Sequence, residues 1–189
     1  MPLLPTPYFF VSPQLRGRVA PRVVALLSRR TRRAGQCLGL DAAALRSLGL
    51  RIVEDEEMAE LHLAYMDEPG PTDVLSFTPA AAGAPQAPGL PGSLGDIVID
   101  WDAVERQAGA ASSVARLNEA TVLVVHGLVH LLGHDHGDRH EGRRMHRLEQ
   151  RVLRTLHVAD PPRPYAPRLL TAHETVHEAA PKRGSRARR

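Results

Sequence analysis

The spacing of apolar and polar positions changes several times along the chain, and each change predicts an element. Tyr8 to Ser12 is a short aromatic and β-branched run, which predicts a first strand. From about Pro13 to Leu38 the apolar residues Leu15, Val19, Val23, Leu26 and Leu27 recur at helical spacing with arginines between them, and Gly39 is a natural stop. Leu48 to Glu54 alternates as a second strand. Asp55 to Tyr65 predicts a helix with Met58, Leu61 and Tyr65 on one side and acids in its first turn. Beyond the Pro69-Gly70-Pro71 loop, Asp73–Phe77 and Gly95–Asp100 read as two further strands. Between them Pro79 to Gly92 is rich in Pro, Ala and Gly, and is expected to be a mobile excursion joining neighbouring strands. Helical patterning resumes near Asp102, is strong from Val114 to Leu132, and returns from Arg139 to Leu156.

Pro161-Pro-Arg-Pro164 ends this pattern, so one domain is expected over residues 1–165, followed by a flexible basic tail over 166–189. Strands and helices intermix without an internal repeat, which favours an α+β class over α/β. Composition changes little in this picture: 43% hydrophobic and 24% charged residues in 189 suit one soluble globular domain. Apolar runs such as Ala120–Val125 are far short of a membrane span, and Met1–Gln14 lacks a signal-peptide pattern. The single cysteine, Cys37, excludes an internal disulfide, suits a reducing cytosol, and cannot build a thiolate metal cage.

Charge is unevenly placed. Residues 1–40 hold seven arginines and no acid, and residues 181–189 hold five basic residues and no acid. The stretch 41–180 has twelve basic and twenty-one acidic residues, a balance of −9. The basic ends read either as electrostatic handles for a polyanion such as RNA or as a solvated helix face and tail.

The segment that carries chemistry is His126-Gly-Leu-Val-His130-Leu-Leu-Gly133-His134-Asp135-His136. At 100° per residue His126 and His130 lie ~40° apart in azimuth and one turn apart, so both imidazoles face one point. His136 would face elsewhere on a continued helix, but a left-handed glycine at Gly133 can end the helix and fold the chain back. Three neutral imidazoles would leave one tetrahedral position open for water, the mark of a catalytic rather than structural zinc site. Two rivals stand beside this set. The histidines can be hydrogen-bonded core residues, or the ligands can be His126, His130 and His134, which an unbroken helix would align.

The spacing is that of the long zinc-protease signature H-E-x-x-H-x-x-G-x-x-H, with Gly127 where that signature needs its glutamate base. Peptide hydrolysis by that mechanism is therefore disfavoured. His173-Glu174-Thr-Val-His177 matches H-E-x-x-H literally, but it lies beyond the proline-rich break with no third ligand downstream, so adventitious metal binding is the better reading.

Three blocks together resemble the YbeY family: Pro71-Thr72-Asp73-Val74-Leu75-Ser76-Phe77, Gly95-Asp96-Ile97-Val98-Ile99, and His126 through Asp135-His136. The resemblance extends over roughly Tyr8 to Tyr165. It implies an α+β fold around a small mixed β-sheet packed with helices, with the metal site on a central helix and the turn after it. It further implies one zinc per chain on His126, His130 and His136, and a cytoplasmic, single-strand-preferring endoribonuclease. Its partner would be rRNA of the small ribosomal subunit, in 3′-end maturation and ribosome quality control, with no membrane involved. Asp73 and Asp96 match family positions, as turn and strand-end residues or as groups supporting the site. One departure is plain: the family's Leu-Asn-x-x-Tyr-Arg is here Leu61-His62-Leu-Ala-Tyr65-Met66, so the arginine is lost. Arg139, Arg143 or the arginine-rich first helix are left to supply that charge. No general base is assigned, since Asp135 can serve only to orient the turn. Besides the nuclease, the sequence admits a ribosome-assembly factor with a structural zinc and no turnover, and a zinc hydrolase of another substrate.

Overall fold

A computed structural model describes residues 7–79 and 94–159 of the chain. Its strands are β1 (Tyr8–Val11), β2 (Leu48–Val53), β3 (Val74–Phe77) and β4 (Gly95–Asp100), in the order β1-β2-β4-β3. β1 pairs parallel with β2 and β2 with β4, whereas β3 runs antiparallel to β4. The sheet is therefore small and mixed, and the α+β class holds.

Alternation along the strands decides the layers, because successive side chains leave a strand on opposite faces. Leu50, Ile52, Ile97 and Ile99 form one core with Val23 and Leu27 of α1 (Pro21–Cys37) and Leu123 and Leu128 of α5 (Ser113–Leu131). Val53, Leu75 and Val98 turn the other way and bury against Met58 and Leu61 of α3 (Asp55–Met66). α6 (Arg139–Thr155) lies against both α5 and α1 and adds Val152 and Leu153 to the first core. α5 is covered on nearly every side, which explains why its sequence is apolar almost all round. Arg30 of α1 fixes the two helices to each other, donating to Asn118 Oδ1 at 2.9 Å and Thr121 Oγ1 at 3.0 Å.

Two expectations need correcting, and one element was not expected. The single helix expected from Pro13 to Leu38 is a short turn at Pro13–Leu15 followed by α1, which starts only at Pro21. Gly17 stands between them at φ +86° and Pro21 suits a first turn that needs no N–H, yet Leu15 and Val19 are buried as their spacing requires. A five-residue helix, α2 (Ala42–Arg46), is capped by Asp41, which accepts from the Ala43 and Ala44 amides. Such a piece is too short to show a period. The helical stretch from Asp102 divides into α4 (Trp101–Gln107) and α5, with Ser112 capping the second. Most of the Pro79–Gly92 stretch, the tail, the 165/166 boundary and the His173/His177 pair lie outside the described residues. Among the described residues no helix is long and apolar enough to cross a membrane.

Asp100, fully buried at the end of β4, caps α4 through Oδ1 and turns Oδ2 toward Asp55 and Arg106. Burial, aided by the Asp55 carboxylate, pushes its pKa up to about 7, while the Arg106 fork holds Asp55 below the carboxylate range. A folded-state pKa above the unfolded one means that the native state holds the extra proton. This contribution is complete below about pH 4 and lost as pH rises through about 7. The expected slope is at most ~1.4 kcal/mol per pH unit. Denaturant titrations between pH 4 and 8 should show stability falling through this window, and Asp100→Asn, which keeps the capping oxygen, should flatten it.

Candidate metal centre

The site lies at the C-terminal end of α5. His126 and His130, one turn apart, bring their Nε2 atoms to 3.1 Å. The helix then ends in two crossed hydrogen bonds, from Gly133 N to His130 O at 2.8 Å and from His134 N to Val129 O at 3.2 Å. Gly133 sits at φ +83°, the left-handed conformation that this ending requires. The chain folds back, and the His136 ring stacks on His126 with centroids 5.6 Å apart and lies 5.1 Å from His130. One ligand nitrogen from each of the three lies within 4.8 Å of the others. Among the described residues this is the histidine set brought together; His134 is not part of it. Asp135 accepts from the His136 amide, and Asp138 caps α6 by accepting from the His140 and Glu141 amides. Asp135 thus belongs to the turn.

Gly127 is more than a missing base. A Cβ there would lie 2.9 Å from Ile97 Cγ2 and 2.9 Å from Ser76 Oγ. The residue faces Ser76 of β3 and Ile97 of β4, so a side chain there would crowd the sheet and press the helix and its two histidines away from it. The position that carries the base in the protease signature points here into the core.

A residue that the sequence reading missed completes the site. Glu149 of α6 reaches His126 Nδ1 at 2.7 Å. Burial alone would raise its pKa, but the hydrogen bond to His126 and the charges of His126, His146 and His130 outweigh it and hold the carboxyl below its usual value. Accepting the Nδ1 proton fixes the His126 tautomer and leaves the Nε2 lone pair directed at the cluster. His130 is pushed down to about 4, first by burial and then by His126 and His136, so its ring is neutral near pH 7. Two ring nitrogens 3.1 Å apart, with a third imidazole beside them, form a donor set that fits a cation bound through imidazoles. Glu149→Ala is expected to weaken metal affinity ~10–100-fold, as loss of such an orienting carboxylate does. Glu149→Gln, which keeps an acceptor, should lose less; competition with a chromogenic zinc chelator measures both.

The cluster opens into a cleft of about 400 Å³ lined by Met66, Asp73, Ser76, Thr78 and the three histidines, with Thr72, Val74 and Leu75. Among the described residues no arginine or lysine lines it, and Met66 occupies its rim half exposed. Asp73 is at the cleft, bonded at 3.4 Å from Gln107 Nε2. Asp96 is not: strand alternation places it on the opposite face of β4 from Ile97, where its carboxylate fills the space beside Gly49.

Comparison with known proteins bears on this arrangement. The family model for endoribonuclease YbeY matches residues 20–157. The endoribonuclease YbeY of Thermobifida fusca is 45% identical over 112 residues, covering 58% of this chain and 71% of that protein. That of Kineococcus radiotolerans is 43% identical over 114 residues, covering 58% and 64%. That of Mycolicibacterium paratuberculosis is 39% identical over 118 residues, covering 60% and 66%. The matched region thus spans about two thirds of the length of these relatives.

Proposed function

Since the chain belongs to the YbeY endoribonuclease family, we propose that it is a zinc-dependent, single-strand-specific endoribonuclease of small-subunit rRNA 3′-end maturation and ribosome quality control. Its ligands are His126, His130 and His136, one zinc per chain, and it works in the cytoplasm on the small ribosomal subunit. The observation that carries this reading is the convergence of the three imidazoles, braced by Glu149, at the floor of an open cleft. Bound there, zinc supplies a Lewis acid for a phosphate oxygen and a water of lowered pKa.

The chain's own residues do the rest. Glu149 holds the His126 proton on Nδ1, and burial keeps His130 neutral. Thr72, Ser76 and Thr78 offer hydroxyls along the cleft wall to the sugar and phosphate of an RNA strand. Gly127, packed against the sheet, provides no base for peptide hydrolysis, which argues against the peptidase reading.

One observation favours a second reading. With Met66 on the rim and no arginine or lysine in the lining among the described residues, the cleft lacks a cationic side chain to neutralise a phosphate, as suits an assembly factor with a structural zinc. The test is incubation of zinc-loaded protein with labelled RNA carrying the 3′ end of small-subunit rRNA, single-stranded and annealed to a complement. The nuclease reading expects the single strand to be cut, the duplex spared and a chelator to stop the reaction. Retention of intact RNA on the protein, with no product, would favour the assembly factor.

A further inference from the structure

Six arginines stand on α6: Arg139, Arg143, Arg144, Arg147, Arg151 and Arg154. Stepping at 100° per residue they occupy an arc of ~140°, opposite the arc of Gly142, Met145, Val152 and Leu153 that faces the core. All six are exposed, and none has an ion pair among the described residues. Four arginines elsewhere are ion-paired: Arg18 with Asp102 and Glu105, Arg51 with Glu57, Arg106 with Asp55, Arg116 with Glu105. The neighbouring helix α1 repeats the pattern, with Arg22, Arg29 and Arg33 exposed within an arc of ~40° and no acid on the helix.

A merely solvated face would intersperse acids with these arginines. Here like charges recur four residues apart, which costs ~0.2–0.5 kcal/mol per pair. Arg139 also opens the first turn of α6, where the helix dipole opposes a cation. An arrangement unfavourable to the free protein is explained by a polyanion that neutralises it. The surface begins beside the metal centre: a Cβ added at Gly142, in the first turn, would meet His136 Cβ at 3.5 Å, and the inner face of the same helix carries Glu149.

We infer that the outer faces of α6 and α1 form one arginine surface that binds the phosphate backbone of an RNA strand entering the histidine cleft. The inference rests on the nuclease reading for its RNA, and it supplies from outside the cleft the positive charge that Met66 does not. Arg139 to Arg154 spans ~22 Å, enough for about six phosphates of a stacked strand.

The test is binding of a fluorescent single-stranded RNA to the full-length chain carrying His130→Ala, so that the RNA stays intact, at salt concentrations from ~50 to ~200 mM. In that background R143Q/R147Q/R151Q/R154Q should reduce the slope of log affinity against log salt by about 3 and weaken binding at low salt at least ~tenfold. The corresponding fourfold Lys variant keeps the charge and should keep the slope. An unchanged slope in the Gln variant, with its fold verified by circular dichroism, overturns the surface. Cleavage by the otherwise wild-type chain separates the two readings. If it cuts RNA, and the same four Gln substitutions without His130→Ala bind and cut equally well, the surface fails and the nuclease stands. If it does not cut while the slope still drops, the nuclease fails and the surface stands.

Discussion

His130→Ala should abolish the stabilisation that zinc gives to this protein. Anything that binds only the native state stabilises it by RT ln(1 + [L]/Kd), ~4 kcal/mol at a thousandfold excess over Kd. For a domain of this size that corresponds to a rise in Tm of order ten degrees. His130 is the middle member of the set, 3.1 Å from His126 Nε2 and in ring contact with His136. Without it two imidazoles remain, too few to hold the ion against solvent. The substitution removes a ring at the cleft wall and leaves the core untouched. The variant should therefore melt like metal-free wild type, with or without zinc, and carry no zinc after gel filtration. A variant that still gains the full increment would place the metal elsewhere.

Gly127→Glu, which writes the protease signature back into the chain, should not produce a peptidase; it should prevent folding. The Cβ alone would meet Ser76 Oγ and Ile97 Cγ2 at 2.9 Å and Ile97 Cδ1 at 3.1 Å. A carboxylate beyond it would be driven between helix and sheet with only the Ser76 hydroxyl beside it, a cost on the order of 4 kcal/mol in a protein whose whole stability is ~5–15 kcal/mol. Gly127→Ala isolates the steric part. Overpacking of ~1–3 kcal/mol, offset by about 1 kcal/mol of helix propensity, leaves a folded but weakened chain. Its urea midpoint should fall, and its zinc affinity with it, because α5 must move off the sheet carrying His126 and His130. Soluble, peptide-cleaving Gly127→Glu would show that the helix has room which the packing denies it.

The convergence of the three histidines was legible because it follows from local rules. A 100° step fixes His126 and His130 on one face, and a glycine at positive φ turns His136 back. Glu149 was not legible in the same way, since its partner lies 23 residues away on another helix. Its only signal is that it falls within the buried arc of α6, between Met145 and Val152, where an acid needs a partner. Asp96 could have been placed from alternation alone, because Ile97 and Ile99 must face the core and Asp96 must therefore face away. Charge was misleading when summed over long stretches. The −9 of residues 41–180 hid a helix whose six arginines have no ion pair among the described residues, since acids on α3 and α4 cancel in the sum what they do not touch in space. The start of α1 was misplaced for a different reason: burial of Leu15 and Val19 continues the helical period across a break at Gly17 that the period cannot show.

The most direct test of the account is cleavage of a labelled single-stranded RNA by zinc-loaded wild type and His130→Ala, purified side by side. Cutting by wild type alone, stopped by a chelator and restored by zinc, is the predicted result. Equal cutting by both proteins would contradict it, and so would intact RNA with wild type that carries a full complement of zinc.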